Sequence, residues 1–381
     1  MKAITKYLKN IFLFAIMLFA TTNICAQEEE VETKSKFTFG GSVDAYYRTN
    51  LSGLNKVLPE VDAIGSTIGV FSPAIPGTSF ANRPGFALGM ANLIAGYEGE
   101  KVGFVADLVF GPRGEEAVFG SPVGSANIVN QLYVYWNVSD KVTLTLGNFN
   151  TFLGYEVISP SANFNYSTSY LFSYGPFSHA GLKADFNLGS DWSAMLAVMN
   201  ATDLTDVNPF GNYTLGAQLG YSGQYLNLVY GPQGFGEQVE AGTTNIVDTD
   251  IKSLFQIDYT GGFDLSDSFF LGINASYQDT DGSGFTGVAL YPQLTTSDNF
   301  AIGLRGEYFS ETGFFGAIGG TDVEGDAGVV AVTLTGSATI GDLMIKPELR
   351  LDNASEDVFL DGDLTPQGSL ASFVLGAVYS F

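Results

Sequence analysis

Apolar and polar residues alternate along most of this chain with a period of two. In the segment 212–222, the odd-numbered positions are Tyr, Leu, Ala, Leu and Tyr, and the even-numbered positions are polar residues or glycine. The segments 269–278 and 330–340 follow the same alternation with few exceptions. Since successive side chains of a strand point to opposite faces, the pattern predicts strands with one apolar and one polar face.

The alternating segments recur at regular spacing from residue 37 onward. They predict about 16 strands of membrane-spanning length. The predicted strands begin near residues 37, 85, 102, 127, 142, 179, 192, 212, 225, 251, 269, 285, 300, 328, 343 and 370.

The connections between these strands alternate in length. Short links rich in Gly, Ser, Asp and Asn are typical of tight turns and fall at 99–101, 139–141, 189–191, 222–224, 266–268, 297–299 and 341–342. Longer links are predicted at 49–84, 111–126, 149–178, 200–211, 231–250, 279–284, 309–327 and 352–369. Outer-membrane barrels place short turns in the periplasm and long loops outside, so the pattern predicts a closed antiparallel transmembrane β-barrel of all-β class. A soluble β-sandwich also alternates, but seven short turns at one end favour the barrel.

The two ends of the chain agree with export to an outer membrane. Residues 1–26 combine three lysines with an apolar stretch too short to span a bilayer, which predicts a cleaved signal peptide. A short acidic segment at 27–36 would precede a barrel at 37–381. The last strand alternates up to a terminal aromatic residue, Phe381, and so resembles the C-terminal strand through which bacterial barrels meet the barrel assembly machinery.

Composition narrows the class of protein further. The chain is 14% aromatic and only 15% charged, whereas soluble domains carry about 25% charged residues. A barrel whose outer face meets lipid explains both values. The net charge of −24 disfavours nucleic acid as a partner.

The most specific sequence lies between Leu146 and Phe186. It contains Gly-x-Phe-x-Thr followed by Gly154 and Glu156, then Asn-x-Asn-Tyr-Ser at 163–167, then Gly-Pro-x-x-His-x-Gly at 175–181. This block resembles the OmpL-like outer-membrane β-barrel porin family of Gram-negative bacteria, although Phe152 stands where the family commonly has proline. The resemblance implies a porin-type channel in the outer membrane that conducts small hydrophilic solutes, without a cofactor.

The link 149–178 is long, aromatic and nearly uncharged, which argues against disorder. We expect it to fold into the lumen, with Glu156 at the constriction, although an outer lid over the mouth is the alternative.

The alternation also predicts which charged side chains line the pore. The acids are Asp44, Asp107, Asp185, Asp258, Glu307, Glu348 and Asp352, and the bases are Arg48, Lys183, Lys252, Arg305, Lys346 and Arg350. Opposed charges create a transverse field across a narrow pore. The same-face run from Lys346 to Asp352 could equally be a set of ion pairs that hold the wall together.

The remaining acids concentrate in the predicted long loops. Those in the long loops include Glu115, Glu116, Asp203, Asp206, Glu237, Glu240, Asp248, Asp250, Asp279, Asp281, Glu311, Asp322, Glu324, Asp326, Glu356, Asp357, Asp361 and Asp363. An acidic mouth predicts a weak preference for cations; bridging by divalent cations to lipopolysaccharide is the rival interpretation.

Two other functions stay open at this stage. A surface binding protein or adhesin would use the barrel as an anchor and would not conduct. A barrel enzyme would need His179, the single histidine, as its base. Lipid-facing and subunit-facing aromatic residues look alike in sequence, so a homo-oligomer is also left open.

Overall fold

The computed structural model describes residues 36–56, 58–71, 75–118, 127–240 and 245–381. The predicted signal peptide at 1–26 and residues 27–35 of the predicted acidic segment at 27–36 lie outside the described residues.

Sixteen antiparallel strands form one closed barrel in which sequence neighbours pair and the first strand pairs with the last. In chain order they are β1 Lys36–Asn50, β2 Gly85–Glu98, β3 Val102–Phe110, β4 Val129–Ser139, β5 Val142–Asn150, β6 Ser178–Gly189, β7 Trp192–Met199, β8 Thr214–Tyr221, β9 Gln224–Pro232, β10 Ser253–Ser266, β11 Phe269–Thr280, β12 Ser283–Ser297, β13 Phe300–Thr312, β14 Ala327–Ile340, β15 Leu343–Ala354 and β16 Ser369–Ser380. Closure runs from Ser42 opposite Ser380 to Asn50 opposite Ser372. The predicted fold class is therefore confirmed, and each strand begins within two residues of its predicted start.

The period of two separates the faces of the wall as predicted. On β8, Leu215 and Leu219 are exposed on the outer face, whereas Thr214 and Gly216 are buried on the inner face. β14 repeats this arrangement, with Val330 and Val332 outside and Ala331 and Thr333 inside. The apolar outer face suits lipid, and the inner face is free to hold polar groups.

Short turns lie at one end of the barrel and most of the longer links lie at the other. One predicted long link, 279–284, is wrong: β11 continues to Thr280 and β12 begins at Ser283. The two residues between them are Asp281 and Gly282, both with positive φ, which is the geometry of a tight hairpin turn. The Asp-Gly pair carried this signal in the sequence.

The longer links hold the remaining secondary structure of the described residues. Three small hairpins pair Leu58–Val61 with Thr67–Phe71, Glu237–Val239 with Ile246–Asp248, and Phe359–Leu360 with Pro366–Gln367. Two short helices are α1, Pro112–Ala117, and α2, Tyr170–Tyr174. In the part of the chain that the structure describes, no helix is long and apolar enough to cross a bilayer.

An apolar core lies inside the barrel rather than between layers. Tyr170 and Leu171 of α2 pack against Phe285, Ala289 and Phe309 on the inner wall. The rings of Tyr170 and Phe309 are 5.6 Å apart. The link that carries α2 therefore enters the lumen, and it organises the site described next.

Candidate functional site: an inner loop on a charged wall

Residues 151–177, which connect β5 to β6, form what we call the inner loop. Its two ends are joined at a neck, where the Thr151 amide donates to the Phe177 carbonyl at 3.0 Å. The Thr151 hydroxyl lies 3.0 Å from His179 Nε2. Between these ends, the loop contacts side chains at mid-height on the barrel wall, so it lies within the barrel and not above its mouth.

A chain segment with little regular structure needs partners for its backbone amides when it is buried. Carboxylates of the wall supply them. Glu307 of β13 accepts the amides of Tyr170 and Leu171 at 2.9 and 2.8 Å. Glu348 of β15 accepts the Tyr166 amide at 2.9 Å. These predicted pore acids therefore hold the start of α2 and the middle of the inner loop.

Basic side chains of the wall bind the loop carbonyls in the same way. The Lys346 ammonium donates to the Pro160 carbonyl at 2.8 Å. Arg350 donates to the Thr168 carbonyl at 2.8 Å and pairs with Asp352 at 2.7 Å. The side chains of Lys346, Glu348, Arg350 and Asp352 are buried. The alternating charges on this face of β15 therefore dock the inner loop, directly or, for Asp352, through its ion pair with Arg350.

Glu156 is the predicted constriction residue, and it forms an ion pair with Arg305. The two side chains are 2.6 Å apart and are enclosed, with exposed fractions of 3% for Glu156 and 0% for Arg305. Glu156 also accepts the Ser169 amide at 2.8 Å, and Arg305 donates to the Ser167 carbonyl at 2.6 Å. Glu156 thus links the inner loop to β13 and, through the Ser169 amide, to a second part of the same loop. The Glu156 carboxylate does not face the open lumen.

Asp44 and Arg48 of β1 meet the loop and its neighbours. Asp44 accepts the Tyr166 hydroxyl and lies 3.9 Å from the guanidinium of Arg113. Arg48 donates to the Ala81 carbonyl at 3.4 Å. Both side chains are buried, so β1 belongs to the covered part of the wall.

Two further acids satisfy amides. Asp258 of β10 accepts the Gly154 amide and the Asn227 side-chain amide, both at 2.9 Å. Asp107 of β3 accepts the side-chain amides of Asn130 and Gln131 at 2.7 and 3.1 Å. Asp258 therefore touches the inner loop, whereas Asp107 holds neighbouring wall residues.

Inward-facing glycines let the loop aromatics approach the wall. The ring of Tyr166 lies against Gly376 of β16, and the ring of Phe164 lies against Gly303 of β13; a Cβ at either glycine would collide with the ring. These close approaches need glycine because any side chain would occupy the space of the ring. They explain part of the unusually high glycine content.

Three further predicted pore residues are partly exposed and lie away from the inner loop. Lys183 and Asp185 of β6 pair at 2.9 Å and stay partly exposed, at 25% and 41%. Lys252 precedes β10 and pairs with Asp250 and Asp281, at 2.7 and 3.0 Å, beside the long-loop end. Lys252 is half exposed there, so its predicted place on the inner wall is wrong: β10 begins one residue later, at Ser253.

Sequence reasoning missed two buried charges. Arg113 of α1 donates to the Tyr166 carbonyl at 3.1 Å and stacks over the rings of Phe80 and Tyr166. Glu311 was assigned to an acidic loop, yet it belongs to β13, is fully buried, and accepts the amides of Ala317 and Ile318. The sequence did contain a signal for Glu311: the alternation on β13 continues past Glu307 and places Glu311 on the same inner face.

Other long links close over the inner loop. The Tyr174 hydroxyl lies 2.7 Å from the Gly77 carbonyl oxygen and 2.8 Å from that of Ala317, and it donates its one proton between them. Ser173 Oγ accepts the Ser79 amide at 2.8 Å. The links after β1 and β13 therefore pack against the inner loop and fill the space around it in the long-loop half of the lumen.

Comparison with solved structures finds outer-membrane barrels of the same fold. The chain is similar to the outer-membrane expressed OmpT of Vibrio cholerae, with 11% identity, a TM-score of 0.54, and coverage of 94% of this chain and 100% of that one. It is similar to the outer membrane channel DcaP of Acinetobacter baumannii, with 12% identity, a TM-score of 0.54, and coverage of 93% and 100%. Salmonella typhi OmpF, solved in complex with daunomycin, gives 11% identity, a TM-score of 0.53, and coverage of 93% and 100%.

No curated protein matches the chain in sequence. A family model does match, over residues 36–381, which is the whole barrel. The sequence block at 146–186 pointed to the same family. The chain belongs to the OmpL-like beta-barrel porin-2 family, and it is a porin-type barrel of the Gram-negative outer membrane.

Proposed function

We propose that this barrel is a passive diffusion channel for small hydrophilic solutes and that the inner loop is its constriction. One observation carries the proposal. The inner loop is docked on charged residues of β1, β10, β13 and β15, whereas β4, β5 and β6 keep partly exposed polar side chains on their inner faces. A barrel of this strand number is wide enough for a water-filled lumen, and an asymmetric loop narrows such a lumen without filling it.

We further propose a weak preference for cations. Exposed acids lie in the links at the long-loop end, for example Asp322, Glu324 and Asp326 between β13 and β14. A mouth of one sign raises the local concentration of counter-ions. The preference is expected to be weak because the charges of the covered wall are largely paired with one another or with the inner loop.

The remaining proposals concern maturation and assembly. Residues 1–26 would be removed on export, and the C-terminal strand ending at Phe381 would be read by the barrel assembly machinery. The acidic loops could meet lipopolysaccharide through divalent cations. A homo-oligomer is proposed on the ground that a Vibrio cholerae OmpT structure was described as a trimer form.

One observation favours a second function. The long-loop half of the lumen is packed, with Tyr166, Tyr170 and Arg305 fully buried inside the barrel. A surface binding protein that uses its barrel as an anchor would also have such a packed interior.

Planar-bilayer recording separates the two functions. The mature chain is refolded, and its closure is checked by heat-modifiable migration in a gel. Steady single-channel conductance, with a reversal potential of modest cation preference in a salt gradient, is expected of a porin. A folded barrel without conductance would overturn the channel proposal and leave the surface binding function.

A further inference from the structure

The inner loop leaves one strip of the wall uncovered. A cavity of about 380 Å³ lies between Phe152 of the inner loop and the inner faces of β4, β5 and β6. Along β5 it is lined from Thr143, next to the short turn, to Asn150, where the inner loop begins. Seven residues of strand span roughly 23 Å. The cavity therefore follows the wall over most of the height of the strand.

The charged residues that line the cavity are Lys183 and Asp185, whose opposite charges sum to zero. Lys183 and Asp185 lie on the same face of β6, 2.9 Å apart, and both are partly exposed. The Lys183 ammonium also lies 5.5 Å from the ring of Phe149. A dissolved cation would meet the ammonium over that ring, and a dissolved anion would meet the Asp185 carboxylate. Neither sign is favoured at this point of the lumen.

The rest of the lining combines aromatic rings with amide and hydroxyl groups. Tyr133 and Tyr135 stand two residues apart on the inner face of β4, so their rings follow each other at roughly 7 Å along the strand. Rings offer flat apolar faces, and the amides, hydroxyls and charged pair offer both donors and acceptors.

We propose that this cavity is the route of permeation and that it binds an uncharged polyhydroxylated solute, a mono- or disaccharide. The inference rests on the proposed channel function and deepens it. A sugar ring carries C–H groups on its faces, which pack on Tyr133 and Tyr135. The hydroxyls at the edge of the ring both donate and accept hydrogen bonds. They can therefore bind the Lys183 ammonium and the Asp185 carboxylate together, whereas an ion of either sign is attracted by one of the two groups and repelled by the other. The volume lies at the lower end of the range for small-molecule sites.

The first experiment compares three six-carbon probes of different charge. D-glucose, D-glucuronate and D-glucosamine, which are all pyranoses, are added in turn to single channels in a planar bilayer at pH 6, where the glucosamine amine is protonated, with sucrose as a disaccharide. D-glucose and sucrose are expected to give a saturable, reversible reduction of current, and the charged probes are expected to give at least tenfold weaker saturation. Equal or stronger saturation by a charged probe would overturn the assignment of a neutral solute.

A second experiment assigns the binding to β4. Tyr133→Leu is expected to raise the sucrose concentration for half-reduction of current about tenfold, which corresponds to a loss of about 1.4 kcal/mol of binding free energy. Phe270→Leu is the matched control, since Phe270 is an aromatic residue of β11 that does not line the cavity. The same shift in both variants, or no shift in either, would overturn the site while leaving the conductance itself intact.

A third experiment tests the route. The single cysteine of the chain, Cys25, falls in the predicted signal peptide, so the mature chain accepts an engineered thiol without background. Asp185→Cys is expected to react with a cationic methanethiosulfonate and to lose most of its current, whereas Ala331→Cys, on the covered side of the wall, is expected not to react. Reaction at Ala331→Cys and not at Asp185→Cys would place the route elsewhere. Absence of any conductance in the folded wild type would instead overturn the proposed function and this inference together.

Discussion

Arg305 Nη1 lies 2.6 Å from Glu156 Oε1, and this buried pair joins the middle of β13 to the inner loop. Removing one partner of a buried pair leaves an uncompensated charge, at a cost of about 3–5 kcal/mol. We therefore expect Arg305→Met to loosen the inner loop, which would raise single-channel conductance and current noise and lower the midpoint of thermal unfolding.

The control for this prediction is an ion pair outside the lumen. Lys252→Met breaks the exposed contacts to Asp250 and Asp281 and is expected to leave conductance and unfolding unchanged. The double variant Glu156→Gln/Arg305→Met should recover part of the lost stability, because no charge is then left unpaired. A single variant with wild-type conductance and noise would contradict the docking role of Arg305.

Close packing between the inner loop and the wall leads to a second prediction. Gly376→Val places a side chain where the ring of Tyr166 lies, and overpacking of this kind costs about 1–3 kcal/mol. The ring must leave the wall, and its hydroxyl must leave Asp44, so we expect a changed conductance with a lower unfolding midpoint. The measurement is single-channel recording paired with heat-modifiable gel migration.

Gly306→Val is the matched control, because a Cβ at Gly306 meets no atom within 4 Å. Tyr166→Ala combined with Gly376→Val should restore part of the stability, since the smaller loop residue makes room for valine. If Gly306→Val and Gly376→Val behave alike, the close approach of Tyr166 does not set the position of the inner loop.

The barrel was readable from sequence because a two-sided wall imposes a strict period of two. All sixteen strands follow from it, and so do inward-facing charges such as Arg305, Glu348 and Asp44. The exceptions are local. Lys252 lies just before β10, where the alternation no longer determines the direction of a side chain. The tight turn at Asp281-Gly282 was predicted as part of a longer link because β11 and β12 are longer than the strand length that the prediction assumed.

The role of those charges could not be read from the same pattern. Alternation tells which face a residue occupies, but not what fills the lumen beside it. Glu307 and Lys346 were predicted to lie on the pore wall, with ion pairing within the wall left open for Lys346, and in the structure they bind the backbone of the inner loop. That pairing depends on contacts between residues far apart in sequence, and a local alternation of polar and apolar residues does not encode such contacts. Arg113 was missed for the same reason.

The acidic links lead to a third prediction, on ion selectivity. Neutralising Asp322, Glu324 and Asp326 together, as D322N/E324Q/D326N, removes three exposed charges at the long-loop end. The reversal potential in a salt gradient is expected to move towards zero because less cation accumulates at the mouth. The difference from wild type should fade at about 1 M salt, where the screening length shrinks to about 3 Å.

The control for selectivity neutralises three exposed acids at the opposite end, D267N/D298N/D342N, which lie in the short turns. A smaller shift is expected there, since the excess of acids lies in the long links. An equal shift from both triple variants would show that net charge alone, and not the acidic mouth, sets the preference.

The fourth prediction concerns the neck of the inner loop and its dependence on pH. Asp203, in the link between β7 and β8, accepts the amides of Phe177 and Ser178 at 2.7 and 3.0 Å. Its carboxyl group is withdrawn from water although the residue as a whole is partly exposed, and this burial raises the pKa of Asp203 to about 6, against the opposing effect of the two amides.

A carboxyl group with a raised pKa binds its proton more tightly in the folded chain than in the unfolded one. Its contribution to stability is therefore present at low pH and is lost as the pH rises from about 4 to about 6, by roughly 2–3 kcal/mol. We expect the thermal unfolding midpoint of the wild type to fall across this window relative to Asp203→Asn, which carries no titrating proton. Asp298→Asn, in an exposed short turn, should keep the wild-type pH profile. Parallel profiles for wild type and Asp203→Asn would show that Asp203 stays solvated and charged in the folded chain.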